Sequence, residues 1–525
     1  MLTPITLLLL QLQSQSITIG DHQFEYRLLD NGLRAYAIQD DGDTASVFMA
    51  IAAGSRDETA DTTGLAHLTE HALFTGTATT GTDVHEKTVV EWGGESNAFT
   101  RDDYTMYYDH DFDPSKLSAV LAMEADRLRG LTFDKDAVLH ERDRLTAEEL
   151  HSYQPSDGRV QQLENAVFTA HPYRHGLRDA SGHTKAPTLS VEQIKFFYNF
   201  YYHPNRTAIV VVGPQQASEV LGLVESSFGQ IKSKAITNNN YFEPEIASSR
   251  SVELVSDLPR DRVVRNWLTP QLGHSDRAAL DVLAAMLQRD EIASGVVVNV
   301  EIGQRLEQDI FSMGWSVGGN DPQLVSKQVW RMLTDYKLAE VNESVLSEVK
   351  AQLADTYSSL PMRSRPYFAL AGTLAWHAAH DKVDALVGYY DAVMAVSADD
   401  LARVTKFYLA KSKCVTVTFK GTGEEVKPLP SGYQELQAAA AAANEVGDFA
   451  RAIEAYTRIL KIKKDPMSQI INLTERGVIH LELKNYDAAI ADFEAGLTYY
   501  DYPAVADMLR DAIAQKKRAM RGRVR

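Results

Sequence analysis

Gly64-Leu65-Ala66-His67-Leu68-Thr69-Glu70-His71-Ala72-Leu73-Phe74-Thr75-Gly76-Thr77 is the stretch on which the reading of this chain turns. Its pattern is helical from Gly64 to Phe74, and residues four apart on a helix share one face, so His67 and His71 can point at a single ion. Glu70 follows His67 by three residues and precedes His71 by one, so it borders the same face and can reach a water without ligating. H-x-x-E-H is the inverted form of the H-E-x-x-H zinc helix. A catalytic zinc takes three protein ligands and keeps one position open, so a third ligand has to come from elsewhere in the chain. The competing reading is a helix whose two histidines are satisfied by backbone or core contacts.

Outward from this helix, residues 24–54 alternate apolar and polar around the turns Asp30-Asn31-Gly32 and Asp41-Gly42, which reads as antiparallel strands. Residues 97–108 read as strand again, and 114–129 and 135–152 as long helices. The apolar run Thr207-Ala208-Ile209-Val210-Val211-Val212-Gly213 reads as a buried strand ending in glycine. Strand pairs mixed with long helices make the fold class α+β. A polar linker, 233–250, contains Asn238-Asn239-Asn240 and separates a first unit, 17–232, from a second mixed unit of similar length, 251–427.

After Pro428-Leu429-Pro430-Ser431-Gly432 the chain turns Ala-rich and helical. Phe449, Ala452 and Tyr456 recur 37 residues later as Tyr486, Ala489 and Phe493, and Pro466 and Pro503 share the same offset. Over residues 432–520 this resembles tetratricopeptide repeats lengthened in a turn, an all-α domain that would dock a protein partner. A plain helical bundle without binding function is the alternative.

Length and composition bound the rest. A chain of 525 residues with 44% hydrophobic and 24% charged residues is too long for one core. The net charge of −18 argues against nucleic-acid binding, which needs clustered Lys and Arg. The basic residues Lys516, Lys517, Arg518, Arg521, Arg523 and Arg525 read as a solvated terminus. With Cys414 the only cysteine, there can be no internal disulfide or cysteine-based metal site. Residues 1–16 carry a short apolar run without Lys or Arg, too short to span a bilayer. They read either as a secretory signal cut ahead of Ile17, for a periplasmic or exported protein, or as a ragged N-terminus of a cytoplasmic one. No other stretch is long and apolar enough to be an integral membrane segment.

With Ala53-Gly54-Ser55-Arg56-Asp57-Glu58 ahead of it, the metal-helix stretch resembles the insulinase/pitrilysin family of inverted-motif zinc metallopeptidases. That resemblance implies a third zinc ligand from a glutamate in a later helix, supported by a second glutamate two turns earlier. Glu148 and Glu141 lie 77 and 70 residues after His71, the separations usual in the family, and seven apart they share one helix face. By resemblance, then, Zn2+ is held by His67, His71 and Glu148, Glu70 is the general base and Glu141 orients the site, with Glu149 as the adjacent decoy. Gly93-Gly94-Glu95-Ser96-Asn97-Ala98-Phe99-Thr100 is similar to the family's edge strand, which implies that Asn97, Ala98, Phe99 and Thr100 bind peptide substrate by β-augmentation. His171-Pro172-Tyr173 and Tyr202-His203-Pro204-Asn205 extend the likeness, which covers residues 18–425 and leaves out the repeats. It implies two similar α/β-sandwich halves closing into a chamber, and a metalloendopeptidase that hydrolyses short or unfolded polypeptides.

One part departs from the family. Its second half usually supplies an Arg and a Tyr, seven apart, beside the scissile carbonyl, where Gln308 and Trp315 stand here and Arg305 is out of register. Some members divide the two parts between chains. This chain is accordingly expected to be the zinc-bearing subunit of a homodimer or of a heterodimer whose other chain brings the Arg/Tyr pair. The rival expectation is a non-catalytic scaffold or peptide-binding subunit of the same fold.

Overall fold

The computed structural model describes residues 15–20, 22–152, 155–176, 184–235, 241–289, 296–316, 321–337, 341–358, 370–423, 428–445, 448–499 and 503–522. The apolar leader 1–14, the centre of the expected linker, Asn238-Asn239-Asn240, and the terminal Arg523 and Arg525 lie outside the described residues. Ser16 and Ile17, on either side of the expected cut, both lie in the first strand.

A seven-stranded sheet carries the first half. Its strands are β1 (Gln15–Ile19), β2 (His22–Leu28), β3 (Arg34–Gln39), β4 (Ala45–Ile51), β5 (Glu95–Thr100), β6 (Thr105–Phe112) and β7 (Thr207–Gly213). They run in the order β1-β2-β3-β7-β4-β6-β5, with only β3 and β7 parallel among the pairings. The strand signal across 97–108 resolves into a hairpin, β5 and β6, because the chain reverses at Arg101, whose N–H meets the Tyr104 carbonyl at 2.8 Å. β5 ends the sheet, so among the described residues its outer backbone edge has no strand neighbour.

β7 is buried along its whole length, which explains its unbroken apolar run. One face of the sheet packs on the helices that carry the candidate metal residues. The other is covered by a helix from the second half, Leu370–Ala379, whose Leu370, Ala371, Leu374 and Ala375 meet Phe48, Ala50, Ala208 and Val210. That helix, Leu-Ala-Gly-Thr-Leu-Ala-Trp-His-Ala-Ala, is apolar nearly all round, as a helix enclosed between layers has to be.

The second half holds a five-stranded sheet of β8 (Arg250–Val255), β9 (Arg262–Leu268), β10 (Asn299–Ile302), β11 (Ile310–Ser316) and β12 (Val415–Lys420). Its order is β10-β11-β9-β12-β8, and one pair, β12 with β8, is parallel as β3 and β7 are in the first sheet. A buried carboxylate links the halves: Asp103 pairs with Arg56 of its own half, Nη1 to Oδ1 2.9 Å, and its Oδ2 accepts from the Leu306 N–H of the second half at 2.9 Å. Tyr173 O–H donates to the same Asp103 at 2.6 Å, which places the Arg56 and Tyr173 of the quoted sequence blocks at this joint.

Beyond Pro428 the described chain is helical: Tyr433–Glu445, Phe449–Ile462, Pro466–Glu482, Tyr486–Leu497 and Pro503–Gly522. The 37-residue offset falls on corresponding helices. Ala452 and Tyr456 sit in one small core, their counterparts Ala489 and Phe493 in the next. Gly477 is forced by the crossing helix, since a β carbon there would lie 2.6 Å from the Phe493 ring. Among the described residues no helix is long and apolar enough to cross a membrane.

Candidate metal centre

The helix Leu65–Ala72 buries Leu65, Ala66, Leu68 and Ala72 in the core, which turns the 67/70/71 edge toward β5 and the helix Lys135–Ser152. Its start is built for a tight entry. Gly64 has φ +87°, and a β carbon there would stand 2.0 Å from Thr184 Oγ1. The Glu58 carboxylate accepts from the N–H groups of Gly64 at 2.9 Å and Ala66 at 2.6 Å, filling the orphan donors of the first turn. Burial raises the Glu58 carboxyl well above its ordinary range against these two bonds.

His67, His71 and Glu148 are brought together: their ligating atoms all lie within 4.8 Å of one another. Glu148 Oε1 is 3.9 Å from His67 Nε2, and Oε2 is 3.6 Å from His71 Nε2. Ligands about 2.0–2.1 Å from a tetrahedral zinc stand roughly 3.3 Å apart, so Glu148 needs to close on the two imidazoles by only about 0.3–0.6 Å to share an ion with them. The donor set of two imidazoles and one carboxylate is the chemistry of a catalytic zinc with an open fourth position. His71 Nδ1 pairs with Glu141 Oε2 at 3.1 Å, which holds the ring with Nε2 turned to the site. Burial pushes the Glu141 carboxyl up, but the His71 bond and Arg144, 2.8 Å away, outweigh it and hold it below its ordinary value. Glu141 is 3% exposed and Glu148, two turns on, has a side chain 53% exposed, so one faces the helix packing and the other the opening. The Glu149 side chain lies outside the described residues.

Glu70 is buried and its Oε2 accepts from Thr100 Oγ1 at 2.6 Å. Asn97, Ala98, Phe99 and Thr100 all line the cleft of about 490 Å³ that contains His67, Glu70, His71 and Glu148. The candidate metal residues, Glu70 and the outer edge of β5 therefore face one space. Gln308 and Trp315 do not line it. Gln308 accepts from the Glu243 N–H at 3.3 Å, and Trp315 is buried in β11 with the Arg265 guanidinium 4.9 Å from its ring. Arg305 is committed to the joint between halves, 2.7 Å from Asp102 and also paired with Glu164.

A second cluster went unread in the sequence. His85, Asp109 and Glu124 are all buried, with His85 Nε2 2.9 Å from Asp109 Oδ2 and Arg127 Nε donating to Glu124 at 2.8 Å. Burial pushes Asp109 up, yet His85 overrides it and holds the carboxyl far below its usual range; burial raises Glu124. Arg127 already supplies the countercharge to Glu124, so the group is a buried ion network between β6 and the helices Val84–Glu91 and Leu117–Arg129. No local spacing announces it, because its members come from two helices and a strand.

Residues 34–180 match the insulinase family, peptidase family M16, and residues 188–353 match the peptidase M16 inactive domain. The zinc protease PqqE of Helicobacter pylori is 26% identical over 419 residues, 75% of this chain and 91% of that protein. A probable mitochondrial-processing peptidase subunit beta of Arabidopsis thaliana is 28% identical over 292 residues, 53% of each chain. Among solved structures, a protease from Helicobacter pylori superposes with a TM-score of 0.67 at 22% identity, over 77% of this chain and all of that one. The periplasmic protease PqqL from Escherichia coli gives 0.63 at 18% identity, over 82% of this chain and 51% of that one. Two sheets with matched parallel pairs, an inverted histidine helix and matches across both halves lead to one assignment: the chain belongs to the insulinase family, peptidase family M16.

Proposed function

We propose that this chain is a zinc-dependent endopeptidase acting on short or unfolded polypeptides, with His67, His71 and Glu148 as metal ligands. The observation that carries the reading is the convergence of those three groups with Glu70 and the free edge of β5 on one cleft. Zinc held there would acidify a water and polarise the scissile carbonyl. An extended peptide adds to β5 through main-chain hydrogen bonds along 97–100, which sets register without strong demands on side chains. Glu70 takes the proton of the attacking water and returns it to the leaving amine. Glu141 keeps the His71 ring in its tautomer and orientation.

Neither Gln308 nor Trp315 faces the cleft, and Arg305 is engaged at the joint, which supports a division of labour with a second chain, in a homodimer or heterodimer, bringing the Arg/Tyr pair. The tail, read as tetratricopeptide-like, docks a protein partner. The likeness to PqqL of Escherichia coli, a periplasmic protease, supports export of this chain. The deciding experiment is Glu70→Gln: zinc content should stay at the wild-type level while hydrolysis of an unfolded peptide disappears. Undiminished turnover would remove Glu70 as the base. The rival scaffold role predicts no bound zinc in the native protein.

A further inference from the structure

We infer that Thr100 is the positioning residue of the base: its hydroxyl fixes the Glu70 carboxylate in the orientation from which the proton is taken. The inference rests on the peptidase reading above and goes past it, since that reading used Thr100 only as part of a substrate-binding strand.

Proton accounting at this spot is tight. Thr100 closes β5, opposite Thr105 of β6, and its side chain is buried against the Leu65–Ala72 helix. The hydroxyls of Thr100 and Thr105 stand 3.5 Å apart, but Thr105 spends its only proton on the Ala53 carbonyl at 3.0 Å. The Thr100 proton is then directed to Glu70 Oε2, at 2.6 Å the shorter of its two contacts. Among the described residues no other side chain donates to Glu70. Oε1 remains as the oxygen for the water, and the carboxylate plane is set by Thr100 rather than by free rotation about the terminal torsion, which is broad for glutamate.

The tie has a functional consequence. The strand that would carry the substrate backbone also carries the group that aims the base, so a peptide adding to the β5 edge docks on the element that orients Glu70. A residue that merely filled space would behave differently. Valine has the shape of threonine without the proton, and serine keeps the proton without the methyl group.

The test compares full-length wild type, Thr100→Val and Thr100→Ser on a quenched unfolded peptide, with zinc content measured on the same samples. Thr100→Val should lose about 10- to 100-fold in kcat, the worth of one hydrogen bond to a charged group, with KM and zinc unchanged. Thr100→Ser should keep kcat within about threefold of wild type. A Thr100→Val enzyme with wild-type kcat overturns the inference, as does a loss shared equally by serine or one accompanied by loss of zinc. A wild type inert toward every peptide, with or without a second chain, overturns the peptidase reading and this inference with it; wild-type turnover matched by Thr100→Val overturns the inference alone.

Discussion

Glu141→Gln separates charge from shape at the metal centre. Glutamine has the volume of glutamate, and its amide oxygen can still accept from His71 Nδ1 across the 3.1 Å contact, so the substitution removes mainly the charge of that bond. A hydrogen bond to a charged partner contributes about 1.5–3 kcal/mol and a neutral one about 0.5–1.5 kcal/mol. The difference, about 1–1.5 kcal/mol, is roughly tenfold in zinc affinity. Arg144 also loses its partner, but its side chain is half exposed and water screens that loss. Glu141→Ala takes the acceptor away altogether and should fall at the stronger end of the effect, about 100-fold. The assay is competition for zinc against a chromophoric chelator at neutral pH, with far-ultraviolet circular dichroism to establish that each variant is folded. If Glu141→Gln binds zinc as tightly as wild type, the carboxylate does not hold His71 for the metal. If it binds none, like His71→Ala, Glu141 is a ligand and not an orienting group.

Other expectations follow from the same geometry. Gly64→Ala should lower stability by about 1–3 kcal/mol, read as a lower Tm, because it strains a left-handed residue and drives a β carbon into Thr184; an unchanged Tm would mean the entry to the metal helix is not rigid. Leu374→Ala, in the helix from the second half that covers the first sheet, should cost about 2–5 kcal/mol in denaturant unfolding, and a near-neutral effect would mean that the halves do not share this core. His377 is buried beside the Thr373 carbonyl, and burial lowers its pKa to about 4. An unfolded imidazole takes its proton below about 6.5, so between those values the unfolded chain holds more protons and stability falls as pH drops from 6.5 to 4. His377→Gln should flatten that part of the stability profile; an identical slope in both proteins would locate the proton uptake elsewhere. Purified alone, the chain should cleave peptides poorly and gain activity with a related chain bearing an Arg/Tyr pair, whereas full activity alone would reject partner dependence.

The parts of the molecule that were legible in sequence are those with a local physical signal. Helical spacing put His67, Glu70 and His71 on one edge, and the helix Lys135–Ser152 and strand Thr207–Gly213 occupy the stretches their periodicity marked. The turn between β5 and β6 escaped because Arg101-Asp102-Asp103-Tyr104 has neither Gly nor Pro, and Asp103 is engaged in the joint between halves rather than in turn chemistry. Residues 114–129 begin as a single tight turn, Pro114–Lys116, before the α-helix Leu117–Arg129, as a proline start allows. Long-range pairing left no trace in spacing. Arg305 finds Asp102 and Glu164, and His85 finds Asp109, only once the sheets are built. The same holds for Leu370–Ala379: its all-round apolarity marks it as buried, but not that it crosses to the first sheet.

Metal stoichiometry, measured by elemental analysis on native protein that has never met a chelator, tests the central claim most directly. The account predicts one zinc per chain, lost in His67→Ala and retained in Glu70→Gln. A native protein that holds no stoichiometric zinc, even after zinc is added back, would contradict it.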